Sequence, residues 1–350
     1  MLVVGDSILW GQGLVTEQKT WFRLKCWLQE KTGREVKERI EAHSGALISG
    51  VSPAEKLFES RDGEVNLPYP TVIEQVDHAR SFYAQDTGLV NLVLANGCIN
   101  DVDVARLLNG GTSPGAVSEA VSARCGNDMQ QLLRRITENF PNAYVLVPGY
   151  FPIVSTKTED NAFIRLLAKK LASGSPDARR LSDKELRMRL IALSNLWYNA
   201  STSSLSEAVR SVNAELIERS LSPRIRFVEI DFGPEHSFAA ADSLLWSFIF
   251  NSTNLSGFRK IIVALSFGTD AYKPNDDVRE SRIKSCKATF KERKDRKETK
   301  AEKQYRKDKL LICRYASLGH PNQMGALIYA EAMKGQLLSL IDQAGWRRAL

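Results

Sequence analysis

The sequence predicts an α/β fold, a three-layer α/β/α sandwich around a central parallel sheet of about five strands. Short runs rich in Val, Leu and Ile alternate with amphipathic stretches of helical period, the pattern of strands buried on both faces. Each run also ends in a glycine-bearing or polar corner, as expected of parallel strands whose right-handed crossovers bring their C-terminal ends to one edge. With 350 residues and 43% apolar content, the chain has core enough for one such domain with insertions.

Residues 2–5, LVVG, read as the first strand. TWFRLKCWLQEKT at 20–32 sets Trp21, Leu24, Cys26, Trp27 and Leu28 at helical spacing and stops at Gly33, a natural C-cap. EVKERIEAH reads as the second strand, followed by a helix near 71–85 and the strand LVNLVLAN at 89–96. A helix near 117–139, the strand AYVLVP at 143–148, a helix near 205–220 and the strand RIRFVEI at 224–230 complete the regular pattern. A helix near 322–341 closes it. Two segments break the rhythm and read as insertions in a single domain spanning 1–350. The first, 151–204, holds a helix pair (161–172 and 183–198). The second, 232–316, holds the aromatic stretch FGPEHSFAAADSLLWSFIF and a charged helix. There is no internal repeat.

Charge narrows the partners. Residues 284–309 carry twelve Lys or Arg against five Asp or Glu, a surplus equal to the whole net charge of +7. Pairs such as Glu292 with Arg296 and Glu302 with Arg306 fit a solvated, projecting helix. Contact with an anionic membrane surface or a polyanion is the functional alternative. Nucleic acid is not expected, because aromatic residues are not interleaved with the charges. No apolar run reaches membrane-spanning length. No basic-then-apolar leader precedes the first strand, so the cytoplasm is the default expectation, although strand residues as early as Leu2 suggest further residues upstream. The five cysteines are scattered and lack metal or redox spacing, so free thiols are expected. Cys286 and Cys313, which bracket the charged run, could close one bridge in oxidising surroundings.

The strand ends carry the chemistry. Gly5-Asp6-Ser7 follows the first strand, Ser44-Gly45-Ala46 the second and Gly97-Cys98-Ile99-Asn100-Asp101 the third, while Gly319-His320-Pro321-Asn322 precedes the last helix. These supply a hydroxyl nucleophile, an imidazole base, and three donors for an oxyanion: the N–H of Ser7, the N–H of Gly45 and the amide of Asn100. Serine needs such a base near neutral pH, and histidine has the pKa for it. Structural readings compete at each position. Ser7 could cap a helix, Gly45 could serve a positive φ, Asn100 and Asp101 could form turns, and Asn322 suits an N-cap. Asp6 is read as bonding backbone around its turn. His43 is the one rival base, since His78 falls mid-helix and His236 in the second insertion. The aromatic stretch reads as core before acyl pocket. No P-loop, G-x-G-x-x-G or H-E-x-x-H is present, so neither cofactor nor metal is expected.

In this order the four blocks resemble those of the GDSL/SGNH hydrolases, with Ser7, Gly45, Asn100 and His320 in the four named positions and one extra residue in the third block. The resemblance implies a flavodoxin-like sandwich and cleavage of carboxylic esters, acyl or acetyl, of lipid or carbohydrate through an acyl-serine intermediate. One feature departs from the pattern. Three residues before the histidine, where the family carries aspartate, stands Ser317. Three readings stay open: a dyad oriented by a backbone carbonyl near 317, an acid from elsewhere with Asp276 or Asp277 as candidates, or a silent site. A catalytically silent binding module and an acyltransferase using the same residues are the alternative functions.

Overall fold

The computed structural model describes residues 1–50, 57–160, 162–250, 272–292, 298–343 and 345–346. Five strands, β1 (Leu2–Val4), β2 (Arg39–Ile40), β3 (Leu92–Ala95), β4 (Tyr144–Pro148) and β5 (Ile225–Val228), form one sheet in the order β2-β1-β3-β4-β5. Every pairing in it is parallel. Leu2, Val3 and Val4 are fully buried, as are Val93, Leu94, Val145, Leu146 and Val147, which is why these strands are runs of β-branched and aliphatic residues rather than alternating patterns.

The helices sort onto two faces. In chain order they are α1 (Ser7–Trp10), α2 (Thr20–Thr32), α3 (Val72–Tyr83), α4 (Ile99–Val102), α5 (Val104–Leu107), α6 (Pro114–Val121), α7 (Met129–Asn139), α8 (Ala162–Ala172), α9 (Asp183–Glu218), α10 (Arg279–Thr289), α11 (Lys300–Arg314) and α12 (Gln323–Gln343). The crossover β1-α2-β2 runs one way along the sheet, and α3, α7 and α9 carry the chain back the other way. Accordingly α2 packs with α12, while α3, α7 and α9 pack together against the opposite face. The chain direction therefore reverses between β1 and β3, and the crevice at such a switch point is where open α/β sheets bind ligands.

Several expectations are corrected. The helices expected at 183–198 and 205–220 are one continuous 36-residue helix, α9, with Trp197, Ser201, Leu205, Ala208 and Val212 buried along it. The intervening NASTSS holds neither Gly nor Pro, so the helix runs through it, with Ser201 on its buried side. The second strand shrinks to two residues, and the helix near 117–139 is α6 and α7 joined through a π-helical turn at Ser122–Asp128. Four cysteines are not free: Cys98 pairs with Cys125 and Cys286 with Cys313, leaving Cys26 unpaired. Folding brings the pairs' Cα atoms to 5.1 and 5.9 Å; the second pair is the bridge held open from the sequence, and the first was not expected.

The second insertion is structured where it is described. Strands β6 (Phe248–Phe250) and β7 (Tyr272–Pro274) pair antiparallel. Phe232 stacks on Phe151 and joins the main core, and Trp246 is buried beside Leu14 and Ala326, in keeping with the core reading of the aromatic stretch. Most described lysines of the charged run are exposed, among them Lys287, Lys300 and Lys303, but one side of the run is anchored. Arg306 is buried against Glu298 at 2.9 Å, Glu302 closes a capping box with Thr299, and Phe290 and the Cys286–Cys313 bridge pack on Phe58. Arg296, expected to pair with Glu292, lies outside the described residues.

Candidate active site

Ser7 opens α1 immediately after β1. The turn between them needs Gly5: its φ is +150°, and a Cβ there would lie 1.9 Å from Asn96 Oδ1. Gln75 clamps the same residue from α3, accepting from Gly5 N–H at 2.7 Å and donating to Gly5 C=O at 3.1 Å. Asp6 caps α1 by accepting from Ile8 N–H at 2.9 Å, and its buried carboxylate also receives Asn96 Nδ2 at 2.7 Å and the Tyr150 hydroxyl at 2.9 Å. Burial pushes the Asp6 carboxyl pKa up, against the pull of these bonds. Asp6 thus holds the corner in shape, as read from the sequence. Tyr150, Gln75 and Asn96 are supports that the sequence did not single out, since each acts only through contacts distant along the chain.

His320 reaches this corner from the opposite end of the chain. Its Nε2 lies 2.7 Å from Ser7 Oγ. The loop that carries it is pinned by the second insertion: Trp246 N–H donates to His320 C=O at 2.8 Å, and Gly319 N–H to Trp246 C=O at 2.9 Å. Asn322 then caps α12, accepting from Met324 and Gly325 N–H. Packing around the ring lowers the His320 pKa to about 4, opposed by the Leu318 and Ser317 carbonyls and helped by Arg282. The ring is half-buried, so solvent at its open edge works against that shift. Nδ1 completes no hydrogen bond among the described residues, although the Ser317 and Leu318 carbonyls favour a proton on the ring.

The second and third blocks meet each other. Gly45 has φ +83°, and a Cβ would sit 2.9 Å from the backbone of Leu67, so glycine is required for shape whatever else its N–H does. Asn100 Nδ2 donates to Ala46 C=O at 3.1 Å, leaving its second amide proton uncommitted to that bond. The Asp101 carboxylate accepts from Ile48 N–H at 3.1 Å, and burial raises its pKa to about 6. Asn100 and Asp101 therefore tie the third block to the second, and Asp6 with Asn96 ties it to the first. Cys98, at φ +103°, starts α4 from the left-handed region and is bonded to Cys125, so the loop bearing Asn100 is covalently anchored to the π-helical turn.

The remaining candidates separate. Asp276 is buried and accepts from the Ser317 hydroxyl at 2.6 Å. Asp277, one residue on, is exposed and accepts from Gln323 instead, which removes it as an acid for His320. His43 faces the Ser44 and Pro70 carbonyls through its two ring nitrogens, at 3.0 and 2.8 Å, so neither is directed at Ser7. His236 Nδ1 accepts from Gly233 N–H, and His78 is exposed on α3. No group of three or more His, Cys, Asp or Glu side chains suited to a metal occurs among the described residues.

The molecule is thus an α/β sandwich with a serine and a histidine in hydrogen-bond contact at its switch point. No family model matches the chain, and no curated protein matches it. Among solved structures it is similar to the lipase Lip_vut3 from a goat rumen metagenome, at 16% identity over 69% of this chain and 86% of that one, with a TM-score of 0.39. It is similar also to an extracellular lipase from Streptomyces rimosus (15% identity, 70% and 86% covered, TM-score 0.39). A third is phospholipase A1 from Streptomyces albidoflavus NA297 (14%, 73% and 89%, TM-score 0.38). Likeness at this level does not bear on chemistry, which stands on the residues themselves.

Proposed function

We propose that the chain is a serine hydrolase of carboxylic esters, of the GDSL/SGNH type. The observation that carries this reading is the 2.7 Å contact between Ser7 Oγ and His320 Nε2 at the C-terminal edge of the parallel sheet. Ser7 Oγ attacks the ester carbonyl carbon while its proton passes to His320 Nε2. The tetrahedral oxyanion is held by Ser7 N–H, Gly45 N–H and Asn100 Nδ2. As the intermediate collapses, His320 returns the proton to the departing alkoxide, which leaves as an alcohol. A water molecule then gives a proton to the same nitrogen and attacks the acyl-serine, releasing the acid and restoring Ser7. Lipid and carbohydrate esters are both within this chemistry, and a sugar hydroxyl in place of water would make the same residues an acyltransferase.

His320 Nδ1, which completes no hydrogen bond among the described residues, favours a second reading, a scaffold that binds without turnover. Hydrolysis of p-nitrophenyl acetate separates the two. Purified protein should turn it over, and Ser7→Ala should lose at least about 1,000-fold. Equal rates for the two proteins would remove the enzyme reading.

A further inference from the structure

Ser317 stands where the sequence pattern calls for an acid, and a carboxylate lies directly behind it. The fully buried Ser317 hydroxyl donates to Asp276 Oδ2 at 2.6 Å. Arg282 holds that carboxylate in a two-pronged grip, Nη1 to Oδ1 and Nη2 to Oδ2, both at 2.7 Å. Its Nη1 also reaches Glu64 Oε2 at 3.3 Å. Glu64 in turn gathers donors from the segment just after the nucleophile: Trp10 Nε1 at 2.8 Å, Gln12 Nε2 at 2.9 Å and Gly13 N–H at 3.2 Å. At the other end, His320 N–H donates to Ser317 C=O at 3.0 Å. One buried polar chain therefore runs from the Ser7 segment to the His320 turn.

Stability alone gives little reason for it. Burying these charges costs several kcal/mol per ion on typical estimates, and an apolar cluster of similar volume is commonly as stable. What an apolar cluster could not supply is negative charge behind an imidazole that must become positive. We propose that Asp276, acting through Ser317, is the positioning acid of His320, with Arg282 and Glu64 fixing its carboxylate. This rests on Ser7 and His320 being the reacting pair. Asp276 does not touch the ring. It fixes the 317–320 turn, and its negative charge favours the imidazolium formed as Ser7 gives up its proton, offsetting part of the opposite and larger effect of Arg282. The charged groups facing this arrangement are Arg282 and Lys19 on the positive side and Asp276 and Glu64 on the negative, Lys19 lying over the Trp10 ring at 3.4 Å.

Asp276→Asn and Ser317→Ala, alone and together, test this by p-nitrophenyl acetate kinetics, with thermal unfolding to confirm that each variant is folded. Each single change should lower kcat roughly 10- to 100-fold with KM within about twofold, less than the ~10,000-fold typical when a directly bonded acid is lost. The double variant should be no worse than the worse single, because both act through one link. Asp276→Asn should also move the acid limb of kcat/KM to lower pH, since Arg282 is then unopposed. A purely structural role would lower the unfolding temperature and leave that limb in place. Parental kcat in folded single variants, or losses that multiply in the double, would overturn the proposal. Should Asp276→Asn not fold, the kcat of Ser317→Ala decides alone. If Ser7→Ala abolishes activity while these variants keep parental kcat, only this inference fails; if Ser7→Ala stays active, the reading beneath it fails too.

Discussion

At the scale of single residues, neighbouring groups have separable duties. Asn100 is assigned to the oxyanion as well as to the Ala46 carbonyl, so Asn100→Ala should lower kcat about 100- to 1,000-fold with little change in KM. A comparable fall in KM-dependent binding with kcat intact would assign it to substrate instead. His320 must be neutral to accept a proton. Its pKa is depressed to about 4, so activity is present above that value and lost as pH falls through it. The acid limb of the kcat/KM profile should therefore lie below the ordinary histidine value of about 6.5, with the rate level through neutrality, whereas a limb displaced above about 6.5 would contradict the lowering by burial. Ser7, Gly45, Asn100 and His320 were legible as candidates because each sits in a short local pattern, the first three after a strand and the last before the closing helix. Glu64 and Arg282 were not, since they meet across 218 residues and their neighbourhoods read as an ordinary loop and the edge of a charged run.

At the scale of elements, the strands and most helices were legible from period and composition, and the failures have physical reasons. In α9 the polar run NASTSS separates the two expected helices, yet with no breaker in it the helix continues, with Ser201 on its buried side. Of the two disulfides, Cys286–Cys313 was open as a possibility because the pair brackets one charged run, whereas Cys98–Cys125 was illegible because thiol pairing depends on folded distance. Each closes a separation of 27 residues, a loop worth about 3.5 kcal/mol in chain entropy. Replacing Cys98 and Cys125 by Ala, or Cys286 and Cys313, should each lower the urea-derived stability by roughly that amount. The first pair should also lower kcat, because Asn100 lies two residues beyond Cys98. An unchanged urea midpoint in either variant would contradict the bridge's place in the fold.

At the scale of the whole molecule, the site is a product of topology. Ser7 and His320 are 313 positions apart, and the sheet order β2-β1-β3-β4-β5 brings the ends of β1, β2 and β3 together at the reversal point. The second insertion, which breaks the regular alternation, supplies Trp246 to pin the His320 loop and Asp276 and Arg282 to stand behind it. Its sequence marked it as extra, and only the fold ties it to the chemistry. The central claim, that Ser7 is an activated nucleophile, is tested most directly by covalent capture. Native protein treated with a fluorophosphonate should gain the mass of one adduct, mapped by peptide fragmentation to Ser7, and protein unfolded in urea should gain none. An adduct on another residue, or ester hydrolysis that continues with Ser7 unmodified, would contradict the account.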